Sequence, residues 1–199
     1  SVLMSVYIKE NPAFLKEAVE SILHQTLQPS EVVIVEDGPL TPELYQVLEK
    51  LEAQSSIPIK RCPLVQNRGL GLALQFGVLQ CQYDVIARMD TDDIAVEDRF
   101  EQQFELMEKE NLDLLGGHIA EFIDRPDEIV SYRRVPIKHE DIVAYQRMRS
   151  AFNHMTVMFK RKMVLKAGNY EDGLYMEDDL LWLNMISAGA RTGNVDQIL

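Results

Sequence analysis

Apolar and polar positions fall into blocks along the chain. Val2, Leu3, Met4, Val6 and Tyr7 form a near-continuous apolar run that stops at Lys9-Glu10-Asn11-Pro12, as a strand covered on both faces would. Asn11 suits a helix N-cap and Pro12 the first helical position, after which Leu15, Val19, Ile22 and Leu23 recur at helical spacing. The unit then repeats. Val32 to Val35 reads as a second buried strand, Asp37-Gly38 as a turn, and Thr41-Pro42 as a cap before Leu44, Val47, Leu48 and Leu51. A third strand is expected within Ile57 to Leu64, a helix over Leu70 to Leu79, and a fourth strand at Val85-Ile86-Ala87 running into Asp90. Phe100, Phe104 and Met107 mark one more amphipathic helix.

Strands alternating with helices predict an α/β fold: right-handed crossovers and a mostly parallel, Rossmann-like sheet with helices on both faces. Beyond Leu115 the pattern loosens into an apolar stretch at Ile119 to Ile123, a polar Asp/Arg/Pro segment, a helix near His139 to Met148, a strand at Thr156 to Phe159 and a last helix from about Asp179 to Ala188. Ligands of open parallel sheets sit beyond the carboxyl ends of the strands, where loops and helix N-termini converge. That rule selects Tyr7 to Glu10, Glu36-Asp37, Asn67 to Gly71 and Asp90 to Asp93.

The chain's 199 residues are 46% hydrophobic and 26% charged, so one globular domain is expected, burying roughly 70% of its unfolded surface. Twenty basic residues against thirty-two acidic give a net charge of −12, with no Lys/Arg run to follow a nucleic-acid backbone. Cys62 and Cys81 show no metal or redox spacing and read as reduced thiols. No apolar run reaches the roughly 18 to 20 residues that cross a bilayer. Ser1 opens inside an apolar run without an initiator Met, which suggests a piece of a longer protein.

Asp90-Thr91-Asp92-Asp93 places three carboxylates in four residues at a strand end, an arrangement that repels itself unless a cation or hydrogen-bond donors offset it. Capping the next helix is the plainer alternative, but a cap needs only one of them. An EF-hand fails because its fifth and sixth loop positions would be Ile94 and Ala95. A haloacid-dehalogenase-type phosphatase carries its DxD on the first core strand, whereas three βα units precede this one. Asn67-Arg68-Gly69-Leu70-Gly71 is neither a dinucleotide fingerprint, having Leu74 where the third glycine belongs, nor a Walker A loop. It is a turn that lets backbone approach a ligand at a helix start, or simply a helix start. Glu177-Asp178-Asp179 opens an apolar helix, either to complement its dipole or to supply a general base. His154 is either a structural histidine or a phosphate or metal contact.

Taken in order, these segments resemble the family 2 inverting glycosyltransferases of the GT-A fold, across nearly the whole chain, and most closely the bacterial exopolysaccharide, capsule and lipopolysaccharide enzymes of the amylovoran type. The carrying phrases are Ser1 to Tyr7 with Glu10, Glu31 to Gly38, Asn67-Arg-Gly-Leu70 with Ala73, Arg88-Met-Asp-Thr-Asp-Asp93, His154-Met-Thr-Val-Met-Phe159, and Glu177-Asp178 with Leu181-Trp-Leu183. Leu74 and Gln75 depart from the family's Arg and Asn, Ile8 stands where Asn is common, and Pro39 where Ser is.

The resemblance implies a nucleotide-sugar pocket of Ser5, Tyr7, Glu10, Asp37, Asn67, Gly69, Asp90, Thr91 and Asp92, with Asp37 reading the pyrimidine edge. It implies Mn²⁺ or Mg²⁺ held by Asp92 and Asp93, Asp178 as the catalytic base, and acceptor or phosphate contacts at His154 and Glu177. Residues 1–115 would then bind the nucleotide sugar, and 116–199 the acceptor and base, with a C-terminal segment of the full protein absent. The expected partners are a UDP-sugar and a saccharide or lipid-linked saccharide acceptor, with no nucleic acid. A homodimer is left open. The expected location is cytoplasmic, peripheral to the inner face of the membrane. A sugar-nucleotide pyrophosphorylase would need a Gly-rich basic loop where Tyr7-Ile8-Lys9-Glu10 stands, and a binding module without transfer would not need Asp178.

Overall fold

A computed structural model describes residues 1–123, 125–172 and 176–199. The first half is built as its apolar runs require. Strand β1 (Val2–Val6), helix α1 (Pro12–Leu23), β2 (Val32–Glu36), α2 (Pro42–Gln54), β3 (Ile59–Pro63), α3 (Leu70–Gln80), β4 (Val85–Arg88) and α4 (Arg99–Glu110) follow one another in strict alternation. Both expected caps form: Asn11 accepts from the Ala13 N–H and Thr41 from the Leu44 N–H, each ahead of a proline in the first turn. The order β3-β2-β1-β4 is parallel throughout, with Val2 opposite Val32 and Ala87. The apolar side chains of β1 split between two cores, Val2, Met4 and Val6 packing toward α1 and α2 and Leu3 toward α3.

The second half holds β5 (Leu114–Phe122), β6 (Ile129–Arg133), α5 (His139–Gln146), a 3-10 turn (His154–Thr156), β7 (Met158–Lys160), α6 (Arg161–Lys166), α7 (Glu177–Ser187) and β8 (Thr192–Ile198). Strand β7 inserts antiparallel between β4 and β5, and β8 runs parallel to β5. Among the described residues four of the seven strand pairings are parallel, so the sheet is mostly parallel, as expected.

Several elements depart from the sequence reading, among them helix α6 (Arg161–Lys166), which it lacks, and strand β5 (Leu114–Phe122), of which it marks only an apolar stretch from Ile119. Strand β6 was not expected, because all five of its residues are exposed and no alternation marks it. Strand β8 hides in the polar run Thr-Gly-Asn-Val-Asp-Gln-Ile, yet its first four residues are buried against β5. The strand expected from Thr156 begins at Met158, since His154 to Thr156 wind into a 3-10 turn first. The polar Asp/Arg/Pro segment includes position 124, which lies outside the described residues.

Candidate active site

Strand ends of the parallel half bring the expected donor-side residues into two groups. In the first, Asp37 follows β2 with 4% of its surface exposed and accepts the backbone N–H groups of Arg68 at 2.7 Å and Gly69 at 3.0 Å. Asn67 donates its side-chain amide to the Asp37 carbonyl at 3.2 Å. Gly38 makes this junction possible: its φ is +84°, and a Cβ there would lie 2.6 Å from the Asn67 nitrogen.

In the second group, Glu10 lies in the turn after β1, close enough to the loop after β4 for its pKa to respond to it. Burial and then the Asp92 carboxylate push it up, while a hydrogen bond from Thr91 opposes them. Tyr7 is half-exposed beside this turn, its carbonyl accepting the Glu10 N–H. Ser5 sits on β1 opposite Val35.

Beyond β4 the carboxylates of Asp90, Asp92 and Asp93 each offer an oxygen within 4.8 Å of the other two. Hard oxygen donors at this spacing fit a small divalent cation. Burial raises Asp93 to about 6, with Asp90 and Asp92 adding to the shift, and burial likewise raises Asp92. Two buried arginines, unanticipated from the sequence, lie beneath. Arg88, 1% exposed, pairs with Asp90. Burial works against the Arg88 charge, but the Asp90 partner outweighs it and holds the guanidinium above its ordinary pKa. Arg99, also 1% exposed, donates among the described residues to neutral acceptors: Gln103 Oε1, Met89 Sδ and the Arg88 carbonyl. Burial, with Arg88 adjacent, lowers its pKa to about 9. A cavity of about 690 Å³ opens beside Asp92, Asp93 and Arg99, walled on its far side by Ile119, Phe122 and Ile129.

The expected base lies on α7. Asp178 occupies its first turn, and burial raises its pKa, Asp179 and Glu177 adding to the shift and backbone N–H groups opposing it. His154 on the 3-10 turn lies 4.0 Å from it, and Tyr170 backs His154 at 3.0 Å. Gly71 lets α3 start against α7: a Cβ there would meet the Glu171 carbonyl at 2.7 Å and Glu177 Cβ at 3.2 Å. The departures at Leu74 and Gln75 are structural. Leu74 is buried in the core, and Gln75 donates to the Tyr170 carbonyl at 2.6 Å.

The model for "Glycosyl transferase family 2" matches residues 1–168. The chain belongs to this family. The amylovoran biosynthesis glycosyltransferase AmsE of Erwinia amylovora is 40% identical over all of this chain and 74% of its own length. The UDP-Gal:alpha-D-GlcNAc-diphosphoundecaprenol beta-1,3-galactosyltransferase of Escherichia coli is 38% identical over all of this chain and 72% of its own. Among solved structures, S. aureus TarS 1-349 in complex with UDP-GlcNAc superposes with a TM-score of 0.76 at 18% identity, over 99% of this chain and 56% of TarS. At that identity the likeness is one of fold, and the fold is GT-A. This family 2 transferase thus has relatives in bacterial polysaccharide biosynthesis, as its motifs led us to expect. No helix among the described residues is long and apolar enough to cross a membrane.

Proposed function

We propose that the chain transfers a sugar from a UDP-sugar to the hydroxyl of a saccharide or lipid-linked saccharide acceptor in surface polysaccharide synthesis, inverting the anomeric centre. The observation that carries this reading is the gathering of three carboxylates after β4, in a fold whose other strand ends supply Asp37, Asn67 and Glu10. The E. coli relative's UDP-galactose donor and the UDP-GlcNAc in TarS support the choice of nucleotide.

Ser5, Tyr7, Glu10, Asp37, Asn67 and Gly69 bind and orient the nucleotide, while Asp90, steadied by Arg88, and Thr91 face the ribose and sugar. Asp92 and Asp93 would hold Mn²⁺ or Mg²⁺, which supplies Lewis-acid stabilisation of the departing diphosphate. Asp178 accepts the proton of the attacking hydroxyl, and its raised pKa keeps it basic enough to do so at neutral pH. Glu177 stands beside it on the acceptor side. Residues 1–115 form the donor part and 116–199 the part holding base and acceptor. A lipid-linked acceptor puts the enzyme in the cytoplasm at the inner face of the membrane, as monomer or homodimer.

A thermal-shift panel of nucleotide sugars with and without Mn²⁺ tests the reading. A UDP-sugar should raise the melting temperature, and do so more with Mn²⁺. Stabilisation by a guanosine or cytidine donor instead would overturn the nucleotide, and binding without turnover would reduce the chain to a sugar-nucleotide receptor.

A further inference from the structure

The proposed chemistry gives no task to the histidine beside its base. His154 has a side chain 12% exposed, with Nδ1 4.0 Å from Asp178 Oδ2 and Nε2 3.0 Å from the Tyr170 hydroxyl. Tyr170 is fully buried, and among the described residues His154 Nε2 is the acceptor within reach of its O–H. Burial pushes the phenol far up and the imidazole well down, the latter helped by the charge of Arg88, so both groups are neutral near pH 7. A buried phenol O–H must donate, and a neutral imidazole carries one ring proton. With Nε2 accepting from Tyr170, that proton resides on Nδ1, the nitrogen that faces Asp178.

We infer that His154 is a positioning residue for the base: Tyr170 locks it in the Nδ1–H tautomer, and that N–H orients the Asp178 carboxylate and favours its ionised form. The inference rests on the reading of Asp178 as the base, and it replaces the phosphate or acceptor contact expected of His154 from the sequence. The ring is fixed by its packing, edge-on to Trp182 at 5.9 Å between centroids and tilted against Tyr170 at 5.8 Å. Asp178 has no Lys or Arg in ion-pair range among the described residues. Its charged neighbours are Glu177 and Asp179 on its own helix, both acidic, while Arg88 on β4 and Asp90 in the loop after it face Tyr170. The imidazole N–H is therefore the favourable dipole reaching Asp178 from outside α7. At 4.0 Å it is longer than a hydrogen bond, as catalytic contacts often are before substrate tightens them.

Asn and Gln substitutions separate the two ring nitrogens, since an Asn amide approximates Nδ1 and a Gln amide Nε2. A ¹³C-carboxyl NMR titration of Asp178, assigned by its loss in Asp178→Asn, reads the coupling without substrate. Transfer from a UDP-sugar, followed as kcat/KM against pH, reads its use. We expect His154→Leu to move the Asp178 midpoint and the acid limb upward by about one pH unit. His154→Asn should restore both, His154→Gln should not, and Tyr170→Phe should fall between, with calorimetric affinity for UDP plus Mn²⁺ unchanged throughout. An unmoved Asp178 midpoint in His154→Leu, equal behaviour of the Asn and Gln variants, or a loss of UDP affinity on substitution would each overturn the inference. If the wild type transfers nothing while the midpoint still moves, Asp178 loses its catalytic role and the His154 coupling stands.

Discussion

The carboxylates after β4 and Asp178 on α7 are placed in opposite surroundings. Asp90, Asp92 and Asp93 crowd one another above two fully buried guanidinium groups, Arg88 and Arg99. Asp178 lies against His154 and Tyr170, with no cation paired to it among the described residues. The contrast follows from what each is suited to do. A cluster that concentrates negative charge, with Arg88 paired to one of its members, is suited to exchange protons for a divalent cation. A half-buried carboxylate with no cation paired to it and acidic neighbours on its own helix has a raised proton affinity, the property a base needs.

Removing Asp178 should have the largest effect on turnover. Asp178→Asn is expected to lower transfer by roughly 10² to 10⁴-fold while leaving UDP affinity intact, measured by steady-state kinetics and calorimetry. Full transfer by that variant would remove Asp178 from the chemistry.

Within the cluster, Asp90→Asn should differ from Asp92→Asn in kind. The first strands Arg88, buried at 1% exposure, and should lower unfolding free energy by about 3 to 5 kcal/mol in urea titration. The second should leave stability nearly unchanged and abolish the extra stabilisation that Mn²⁺ gives with UDP. Equal destabilisation by both would erase the distinction between the charge-paired and the cation-facing aspartate.

The pH dependence of that extra stabilisation has a definite sign. Asp93 titrates near 6, raised first by burial, so protons compete with a cation below that pH and hardly above it. The Mn²⁺-induced rise in melting temperature should therefore be larger at pH 7.5 than at pH 5.5. Without metal the raised pKa means the folded state binds the proton more tightly than the unfolded one, so stability from this group falls as pH climbs from about 4 to 6. A metal effect independent of pH would move the binding site away from Asp93.

The smallest effect is a control remote from both regions. Thr41→Ala removes the cap of α2 and should lower stability by about 1 kcal/mol, with kcat and KM unchanged.

The parallel half of the fold was legible because β1 and β2 are buried on both faces and α1 and α2 announce their starts with Asn11-Pro12 and Thr41-Pro42. Beyond Leu115 the signal failed where strands are paired but not apolar. Strand β6 is exposed throughout, and β8 buries Thr192 and Asn194 through side-chain hydrogen bonds, Asn194 bonding Gly116, Pro136 and Ala151. The carboxylates of the site were legible as short motifs, but their supports were not. Nothing in the sequence marks Arg88 and Arg99 as interior among twenty basic residues, and only tertiary packing shows it. Tyr170 follows the left-handed Asn169 in a stretch without periodicity, and nothing in its sequence context ties it to His154.

Gly71 has a consequence for anyone recombining this chain with a relative. Because a methyl group there would collide with the Glu171 carbonyl and press on Glu177, the front of α3 and the front of α7 are matched like two halves of a joint. A chimera whose crossover falls between them inherits one surface from each parent, and if the donor of the α3 front carries any larger residue at position 71, the backbone at Glu171 must shift and Glu177 at the start of the base-bearing helix must give way. Grafts meant to exchange sugar preference should therefore take both surfaces from the same parent.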